Sequence, residues 1–211
     1  MRIIRLAVTT STQHVARNLP VGTCVVADQQ TAGRGRLDRT WETRAGSALL
    51  ATFVLPARPL ALFCGGVAAA DACGPQVRIK WPNDLLLGGA KAAGLLAEQR
   101  GERCLLGMGV NLRWAPAGAA TLDADPDQLL SSLIDSLETW WKAPAADVLE
   151  GWSARADTLG RHVRVELPDV TFTGLAERLD ADGALVVTGR RVTVGDVVHL
   201  QQGGRLPAFG P

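Results

Sequence analysis

The stretch "QVRIKWPNDLLLGGAKAAGLLAE", residues 76 to 98, does most to define the fold of this chain. Its first six residues alternate in polarity, and Pro82 disfavours a helix just before it, so they predict a β-strand. Gly88 and Gly89 separate the apolar run "LLL" from "AAGLLAE", which is the pattern of a β-hairpin. The stretch therefore predicts a strand followed by a hairpin.

Segments on both sides extend this prediction to an α/β domain. "SALLATFVL" (residues 47–55) and "CLLGMGVNL" (residues 104–112) are short and apolar, so they predict strands, and the glycines of the second suggest close backbone approach. "PLALFCGGVAAADA" (residues 59–72) begins with proline and is rich in alanine, which predicts a helix. Leucine and tryptophan recur every three or four residues over 126–141 and 145–159, which predicts two amphipathic helices.

The pattern changes after Gly160. The runs "HVRVELPDVTFTG", "GALVVTG" and "RRVTVGDVVHL" are short, β-rich and separated by proline, Asp-Gly and glycine. They predict a small barrel-like module. We therefore expect two domains, residues 1–160 and residues 161–211.

Composition excludes several classes of protein. The chain has 22 basic and 21 acidic residues, so it has no overall field that would attract nucleic acid or an anionic membrane. The four cysteines are too far apart for a CxxC or zinc motif, which favours buried free thiols. "MRIIRLAVTT" is too short and too charged for a signal peptide, and no apolar run approaches the roughly 20 residues of a membrane span. We expect a cytoplasmic protein.

The loop "QQTAGRGRLDRTW", residues 29 to 41, is the first stretch that could carry chemistry. Four arginines and two acidic residues lie between Gly33 and Arg44, so the segment is locally positive. We expect Gly33 and Gly35 to adopt positive φ and to let backbone N–H groups surround an anion. Arginine adds forked donors that suit phosphate or carboxylate. A solvated turn between strands is the alternative.

Charged and polar side chains also surround the predicted hairpin, at Lys80, Asn83, Asp84, Lys91 and Glu98. Asp84, at a strand end, could hold magnesium, which prefers oxygen ligands. Lys91 lies in an apolar run, where an unpaired ammonium is costly, so a ligand anion is a plausible partner. The alternative for each lysine is a surface side chain whose charged end reaches solvent.

Other polar residues are less specific. Ser11, in a hydroxyl cluster before a predicted helix, fits an N-cap as well as a ligand contact, and Asn111 fits a turn as well as a site. The sequence has no GxxxxGK[ST], GxSxG or HExxH motif, which excludes the enzyme classes that these define. The three histidines are scattered, and we assign none to catalysis.

Three stretches in order resemble the motifs of the biotin–protein ligase family. "GRGRLDRTW", "KWPND…KAAGLL" and "GMGVN" are similar to GRGRxGRxW, KWPND followed by KxxGIL, and GxGxN. The resemblance runs from about Thr10 to Asn111, and the C-terminal β module lies where many members carry an SH3-like domain. It implies an α+β fold, with a mixed sheet flanked by helices as in class II synthetases and a small C-terminal SH3-like β-barrel.

The resemblance also implies an activity. Members of the family activate the biotin carboxylate with ATP, giving biotinyl-5′-adenylate and pyrophosphate, and pass biotin to a lysine of a biotin carboxyl carrier domain of a carboxylase. ATP, biotin and Mg²⁺ are thus the expected small molecules, and the carrier domain is the expected partner of a monomer or homodimer. Because the Ser-Thr motif begins at Ser11, we expect the form without an N-terminal DNA-binding domain, and no nucleic-acid or membrane partner.

The resemblance assigns roles to residues of this chain. The expected catalytic residues are Lys91 and Arg36. The expected biotin-binding residues are Ser11, Thr12, Gln30, Arg34, Gly35, Arg36 and Lys91. The expected ATP-binding residues are Arg34, Lys80, Asn83, Asp84 and Asn111, with Asp84 also a magnesium ligand. Trp41 and Trp81 are expected to be packing walls.

The chain departs from the family pattern at two places. Gln13 stands where asparagine usually follows Ser-Thr, which affects a hydrogen bond. Leu37-Asp38 replaces a residue followed by glycine, which we expect to stiffen the loop and add a negative charge beside the ligand. We also expect residues 33–40 to be mobile until an anion binds.

Two other functions compete with this interpretation. The first is a lipoate–protein ligase or octanoyltransferase of the same superfamily, which resembles the catalytic fold but has a different arginine and glycine signature. The second is a non-catalytic module in which the arginine loop binds an anion or an acidic protein partner.

Overall fold

Two units make up the part of the chain that the computed structural model describes, residues 1–37, 39–193 and 195–200. The first unit is Met1–Asp157, and the second begins at Thr158. None of the helices in these residues has the length and apolar character needed to span a bilayer.

The first unit is built on a seven-stranded sheet. Its strands are β1 (Arg2–Thr9), β2 (Thr23–Gln30), β3 (Ala48–Pro56), β4 (Val77–Lys80), β5 (Asp84–Leu87), β6 (Ala90–Arg100) and β7 (Arg103–Asn111). They lie in the order β1-β2-β3-β7-β6-β5-β4. β1 and β2 pair in parallel, and the other neighbouring strands pair antiparallel. The expected mixed sheet and the β5–β6 hairpin are confirmed.

The described residues of this unit form four helices. They are α1 (Thr12–Ala16), α2 (Ala61–Cys73), α3 (Pro126–Trp140) and α4 (Ala145–Ala154). α2 can lie close to the sheet because Gly65 has no side chain, and a Cβ there would be 2.7 Å from a methyl group of Leu106. α3 begins after Asp125, whose carboxylate accepts from the N–H groups of Asp127 and Gln128. α3 and α4 thus confirm the two predicted amphipathic helices.

The last helix ends earlier than the sequence pattern predicts. α4 stops at Ala154, and the segment that follows pairs with the outer edge of β4. The Ile79 N–H donates to Arg155 O at 2.9 Å, and the Asp157 N–H donates to Ile79 O at 2.8 Å. These bonds satisfy backbone groups of an edge strand that a longer helix would leave unpaired.

Arg58 caps the C-terminal end of α3. Its guanidinium donates to the carbonyls of Trp140, Trp141 and Ala143, at 3.1 Å for Trp140 and 3.0 Å for Ala143. The last carbonyls of a helix lack partners within it and carry partial negative charge, so a forked cation there satisfies several acceptors at once. The side chain thereby fixes α3 against the segment after β3.

The cysteines are free and buried, as the sequence predicts. Burial raises the pKa of the Cys24 and Cys73 thiols to about 12. Burial also raises the pKa of Cys64 and Cys104 to about 11. All four therefore pack as neutral, apolar side chains at ordinary pH.

The second unit contains a five-stranded antiparallel sheet. Its strands are β8 (His162–Glu166), β9 (Thr171–Leu179), β10 (Leu185–Val187), β11 (Arg190–Val192) and β12 (Asp196–His199), in the order β11-β10-β9-β8-β12. Val163, Val165 and Leu185 are fully buried and form part of its core. The β-rich C-terminal module is thus confirmed.

Candidate active site

The ends of β1 and β2 hold a buried cluster of hydroxyl and amide side chains. These strands are parallel and pair Thr9 with Gln30, so both end at the same edge of the sheet, where α1 begins. The Thr12 N–H and hydroxyl donate to Gln30 Oε1 at 2.8 and 3.0 Å. The Thr12 hydroxyl also lies 2.8 Å from the hydroxyl of Thr52. The fold thus brings Thr12 and Gln30 together and adds Thr52, which sequence reasoning missed.

Ser11 and Gln13 lie beside this cluster and are buried. Ser11 occupies the N-cap position of α1, but its side chain makes no capping hydrogen bond. Gln13 Nε2 donates to the carbonyls of Leu96 and Leu105, both at 3.4 Å. A Cβ on Gly107 would lie 2.7 Å from Gln13 Oε1, so the glycine leaves the space that this side chain fills. The departure at Gln13 therefore produces an amide that bridges β6 and β7.

The loop after β2 folds back on itself as a small hairpin. The Gly35 N–H donates to Arg39 O at 2.7 Å, and the Trp41 N–H donates to Gly33 O at 3.0 Å. A Cβ on Gly33 would lie 2.7 Å from Trp41 O, so the two arms approach closely because residue 33 is glycine.

The prediction of positive φ at Gly33 and Gly35 is wrong. In the described part of this loop the residue with positive φ is Leu37, at 53°. The reason is that the chain reverses at the tip of the hairpin, which places the left-handed residue there and leaves the glycines in the arms. Asp38, the other half of the departure from the family pattern, lies outside the described residues.

Trp41 closes this loop onto the sheet. A Cβ on Gly109 would lie 2.5 Å from Trp41 Cε2, and a Cβ on Gly94 would lie 3.0 Å from Trp41 Cζ3. Lys91 Nζ lies 5.5 Å from the centre of a Trp41 ring, within cation–π range. Trp41 Nε1 is buried with no hydrogen-bond partner among the described residues. The glycines of β6 and β7 thus provide the close approach that the sequence suggests, and the group that approaches is this indole.

Arg36 and Arg34 point from the loop toward different partners. Arg36 Nη1 donates to Asn83 Oδ1 at 3.2 Å, and Asn83 Nδ2 donates to Leu95 O at 2.9 Å. Arg34 Nη1 lies 3.3 Å from Glu98 Oε1 near the surface. Arg36 is therefore held at the end of the β5–β6 hairpin, whereas Arg34 is more exposed.

Asp84 is the centre of the charged cluster. Its Oδ1 lies 2.6 Å from Lys91 Nζ and, apart from this ion pair, has no hydrogen-bond partner among the described residues. Lys80 is the residue opposite Asp84 in the β4–β5 pairing. The fold thus pairs the Lys91 ammonium with Asp84, and a ligand anion as a further partner of Lys91 stays a prediction.

The pKa values of the neighbouring cations reflect the same cluster. Burial lowers the pKa of the Lys80 ammonium, and the Asp84 carboxylate opposes this shift while Lys91 adds to it. Burial also lowers the pKa of Arg36, again opposed by Asp84 and reinforced by Arg39. Several partly buried cations thus surround one carboxylate, so the site has an excess of positive charge that an anionic ligand would neutralise.

This arrangement does not fit the magnesium role expected for Asp84. Its buried Oδ1 is paired with an ammonium, and Lys80 and Arg36 add further positive charge nearby. Residues 1–37, 39–193 and 195–200 contain no group of three or more His, Cys, Asp or Glu side chains that could hold a metal ion. Magnesium usually binds one or two carboxylates together with water and substrate phosphates, and the carboxylate that Asp84 would offer is already paired with Lys91.

Asn111 has a structural contact in addition to its expected ligand role. Its Nδ2 donates to Ala120 O at 3.1 Å and to Lys91 O at 3.4 Å. The Ala120 N–H donates to Lys91 O at 2.9 Å. Asn111 therefore connects the segment after β7 to the strand that carries Lys91, and both residues border one cavity.

Two cavities adjoin the cluster. One, of about 280 Å³, is lined by Trp41, Glu42, Lys91, Asn111, Pro116 and neighbours. The other, of about 440 Å³, is lined by Arg17, Arg34, Arg36, Glu98, Arg100 and neighbours. Arg36 and Lys91 thus line different cavities. Their partners are nevertheless adjacent in the chain, because Arg36 donates to Asn83 and Lys91 pairs with Asp84.

Arg17, Glu42 and Pro116 were not foreseen as cavity residues. They lie outside the three motifs, and single charged or proline residues in polar segments give no signal of their position in the fold.

Comparisons with known proteins agree with this geometry. Residues 4–113 match the sequence model described as the biotin/lipoate A/B protein ligase family, and residues 158–200 match that of the biotin protein ligase C-terminal domain. A biotin–[acetyl-CoA-carboxylase] ligase of Mycobacterium tuberculosis is 34% identical over 85% of this chain and 80% of its own length. A protein of the same name from Paracoccus denitrificans is 35% identical over 87% of this chain and 93% of its own length.

Solved structures show the same fold. A biotin protein ligase from Aquifex aeolicus in complex with biotin and ATP matches with a TM-score of 0.79 and 24% identity over 95% of this chain and 99% of that one. A biotin protein ligase from Leishmania major in complex with biotinyl-5-AMP matches with a TM-score of 0.69 and 25% identity over the same shares.

The mixed sheet, the glycine and arginine loop and the separate C-terminal β unit define a ligase domain of the α+β class. The chain belongs to the biotin/lipoate A/B protein ligase family, and within that family to the biotin–protein ligases.

Proposed function

We propose that this chain is a biotin–protein ligase, which activates biotin with ATP and transfers it to a lysine of a carrier protein. The observation that carries the proposal is the set of cations around Asp84, where Lys91 lies 2.6 Å from the carboxylate and Arg36 is bonded to the adjacent Asn83. The relatives named biotin–[acetyl-CoA-carboxylase] ligase, at 34% and 35% identity, support it.

The first half-reaction brings two anions together. A carboxylate oxygen of biotin attacks the α-phosphorus of ATP, the new P–O bond forms, and the bond to the β-phosphate breaks to release pyrophosphate. The reactants repel each other, and negative charge develops on the phosphoryl oxygens, so positioned cations lower the barrier. A site with more cations than carboxylates supplies that stabilisation.

Each residue has a proposed role in this step. Lys91 holds the biotin carboxylate, and Asp84 keeps the Lys91 ammonium in place through their ion pair. Arg36 faces the phosphoryl group from the loop. Burial disfavours the charged forms of Lys80 and Arg36. An anion in the cluster would stabilise both charged forms, and the two cations would therefore attract it strongly.

We assign the two substrates to neighbouring regions. The polar cluster of Ser11, Thr12 and Gln30 provides hydrogen-bonding groups for biotin, next to the arms of the Arg34–Gly35 loop. The cavity lined by Trp41, Lys91 and Asn111 has about 280 Å³, enough for part of a nucleotide. Lys80 and Asn83 complete the ATP contacts. No step of the reaction is assigned to a metal ion held by Asp84.

The second half-reaction needs the neutral amine of the carrier lysine. That amine attacks the acyl carbon of biotinyl-adenylate, a C–N bond forms, AMP leaves, and the nitrogen loses a proton to give the amide. The enzyme forms no covalent intermediate in this scheme. The carrier lysine must therefore approach a site that is itself rich in cations.

Ligand binding and turnover together test this proposal. A ligand at 100 times its Kd should stabilise the folded chain by about 2.7 kcal/mol, so biotin should raise the Tm and lipoate should not. Transfer of biotin to a purified carrier domain should then require ATP. Stabilisation by lipoate alone would favour a lipoate ligase, and biotin binding without release of pyrophosphate would favour a non-catalytic module.

A further inference from the structure

A second cavity continues the arginine-lined one along the surface of the first unit. The cavity of about 440 Å³ and a further one of about 700 Å³ share Arg17 and Arg100 in their linings. We call this continuous depression the arginine trough. It runs from the Gly35 loop to the end of α1 and to the turn between β6 and β7.

The trough carries a strong positive charge. It is lined by Arg17, Arg34, Arg36, Arg100 and Arg103, and among the described residues that line the two cavities Glu98 is the one carboxylate. Glu98 is already engaged, because its two oxygens lie 3.3 Å from Arg34 and 3.2 Å from Arg100.

Arg103 and Arg17 differ in their hydrogen bonds within the protein. Arg103 Nη1 donates to Leu19 O at 2.8 Å, so this side chain also fixes the chain after α1. Arg17 Nε is buried and has no hydrogen-bond partner among the described residues. An unsatisfied buried donor on a cation is costly, and a carboxylate bound at the guanidinium would offset part of that cost through its charge.

The lining of the outer cavity favours a protein over a small molecule as the occupant. The described residues of this lining are Arg, His, Asn, Gln and Gly, and none of them has an apolar side chain. Pockets for small molecules are lined mostly by apolar and aromatic groups, whereas arginine is common in the polar parts of protein interfaces.

The proposed reaction gives the partner's chemistry. A carrier domain that brings its lysine to the site must lie against the arginines that line the adjoining cavity, and an acidic surface beside the lysine would complement their charge. We propose that the arginine trough binds an acidic surface of the carrier domain, adjacent to the lysine that receives biotin. This inference rests on the proposed function and names the surface by which the partner is recognised.

Charge reversal at Arg17 and Arg100 tests the proposal, because neither residue has a role in the first half-reaction. In the full chain, Arg17→Glu/Arg100→Glu should raise the KM for a purified carrier domain by tenfold or more, on the order expected for two lost interfacial charge pairs. Biotin-dependent ATP–pyrophosphate exchange should stay at the wild-type rate. Arg17→Gln/Arg100→Gln, which removes the charges without reversing them, should give a smaller effect of the same sign.

Arg78→Glu is the matched control. Arg78 is an exposed arginine on β4, the far edge strand of the same sheet, and lines neither cavity. Its reversal makes the same change in net charge as either single reversal, Arg17→Glu or Arg100→Glu, with which it is compared, and should leave the carrier KM unchanged. In the wild type the carrier KM should rise with salt, and the Arg17→Glu/Arg100→Glu variant should show a weaker dependence.

Each outcome separates one claim from another. Exchange in the wild type with an unchanged carrier KM in the double variants overturns the docking proposal and leaves the ligase assignment intact. A raised KM for ATP or pyrophosphate in the double variants, with the carrier KM unchanged, assigns the trough to phosphate and also overturns it. Absence of exchange in the wild type refutes the proposed function, and the docking proposal with it.

Discussion

Replacement of Gly109 by alanine should displace Trp41 and with it the loop over the active site. The new Cβ would lie 2.5 Å from Trp41 Cε2 and 2.8 Å from both Cζ2 and Nε1. Carbon atoms normally pack about 3.5 to 4.0 Å apart, so the overlap is roughly 1 Å against a rigid ring that cannot bend away. Gly94, which pairs with Gly109 in the sheet, and the Lys91 ammonium also lie close to the ring, so little space is left for it to move.

Two effects of different size follow from that overlap. Overpacking of this kind costs about 1 to 3 kcal/mol of folding free energy. The displaced indole would no longer hold Lys91 or close the cavity beside it. Since a 1 Å error in the position of a catalytic group can lower a rate about 100-fold, we expect biotin-dependent pyrophosphate exchange to fall by one to two orders of magnitude.

A double-mutant cycle isolates the contact. Urea unfolding and pyrophosphate exchange are measured for Gly109→Ala, Trp41→Ala and the double variant. The double variant should be less destabilised than the sum of the single variants, because alanine at residue 41 removes the clash. Gly107→Ala is the control on the same strand. Its Cβ would meet the flexible end of the Gln13 side chain and not the rigid indole of Trp41. Additive losses in the Gly109 and Trp41 cycle would refute the contact as the cause.

Three further predictions concern other parts of the first unit. Arg58→Ala should lower the free energy of unfolding by about 2 to 3 kcal/mol, because charge-assisted hydrogen bonds to the carbonyls at the end of α3 are lost. Arg58→Lys should retain only part of this stability, because an ammonium lacks the forked donors of a guanidinium. Thermal or urea unfolding measures both changes. Above pH 9 stability should fall, because the buried thiols keep their protons at pKa values of about 11 to 12 while those of the unfolded chain ionise near 9. The cost is roughly 1 kcal/mol for each thiol at pH 10. The lowered pKa values of Lys80 and Arg36 act in the opposite direction, but all four cysteines are free and buried. Equal unfolding free energies at pH 8 and pH 10 under reducing conditions would therefore contradict the burial of the thiols. Asp84→Asn should change the free energy of unfolding by less than about 1 kcal/mol, because its ion pair with Lys91 is partly exposed. The same change should lower the rate of pyrophosphate exchange by on the order of tenfold, because Lys91 loses its orientation. An unchanged exchange rate would contradict the positioning role of Asp84.

The strands and helices with strong local patterns could be predicted from the sequence. The alternation before Pro82 and the glycine pair after "LLL" defined β4 and the β5–β6 hairpin. β1 was not predicted, because the pattern around Arg5 was considered only as a possible signal segment. α4 was predicted too long, because its last residues leave the helix to bond the edge of β4, and a tertiary contact of that kind has no local signature.

The candidate site was predicted in part. The motifs identified the Gly35 loop, Lys91 and Asp84, but they gave no indication that the last two form an ion pair. That contact depends on the β5–β6 pairing, where the register shifts between Leu85 and Leu86, and such an irregularity cannot be read from residue types. The arginine trough was not foreseen either, because Arg17 and Arg100 come together only through the packing of α1 near the β6–β7 turn.

The most direct test of the central claim is a mass spectrum of the products formed by the purified chain with ATP, magnesium and biotin. The wild type should form biotinyl-5′-adenylate and pyrophosphate, and Lys91→Ala should form the adenylate at a rate lower by about 100-fold, as for the loss of one donor to developing charge. The same yield and rate of adenylate from Lys91→Ala, or no adenylate from the wild type, would contradict the claim that this cluster of cations joins the two anions.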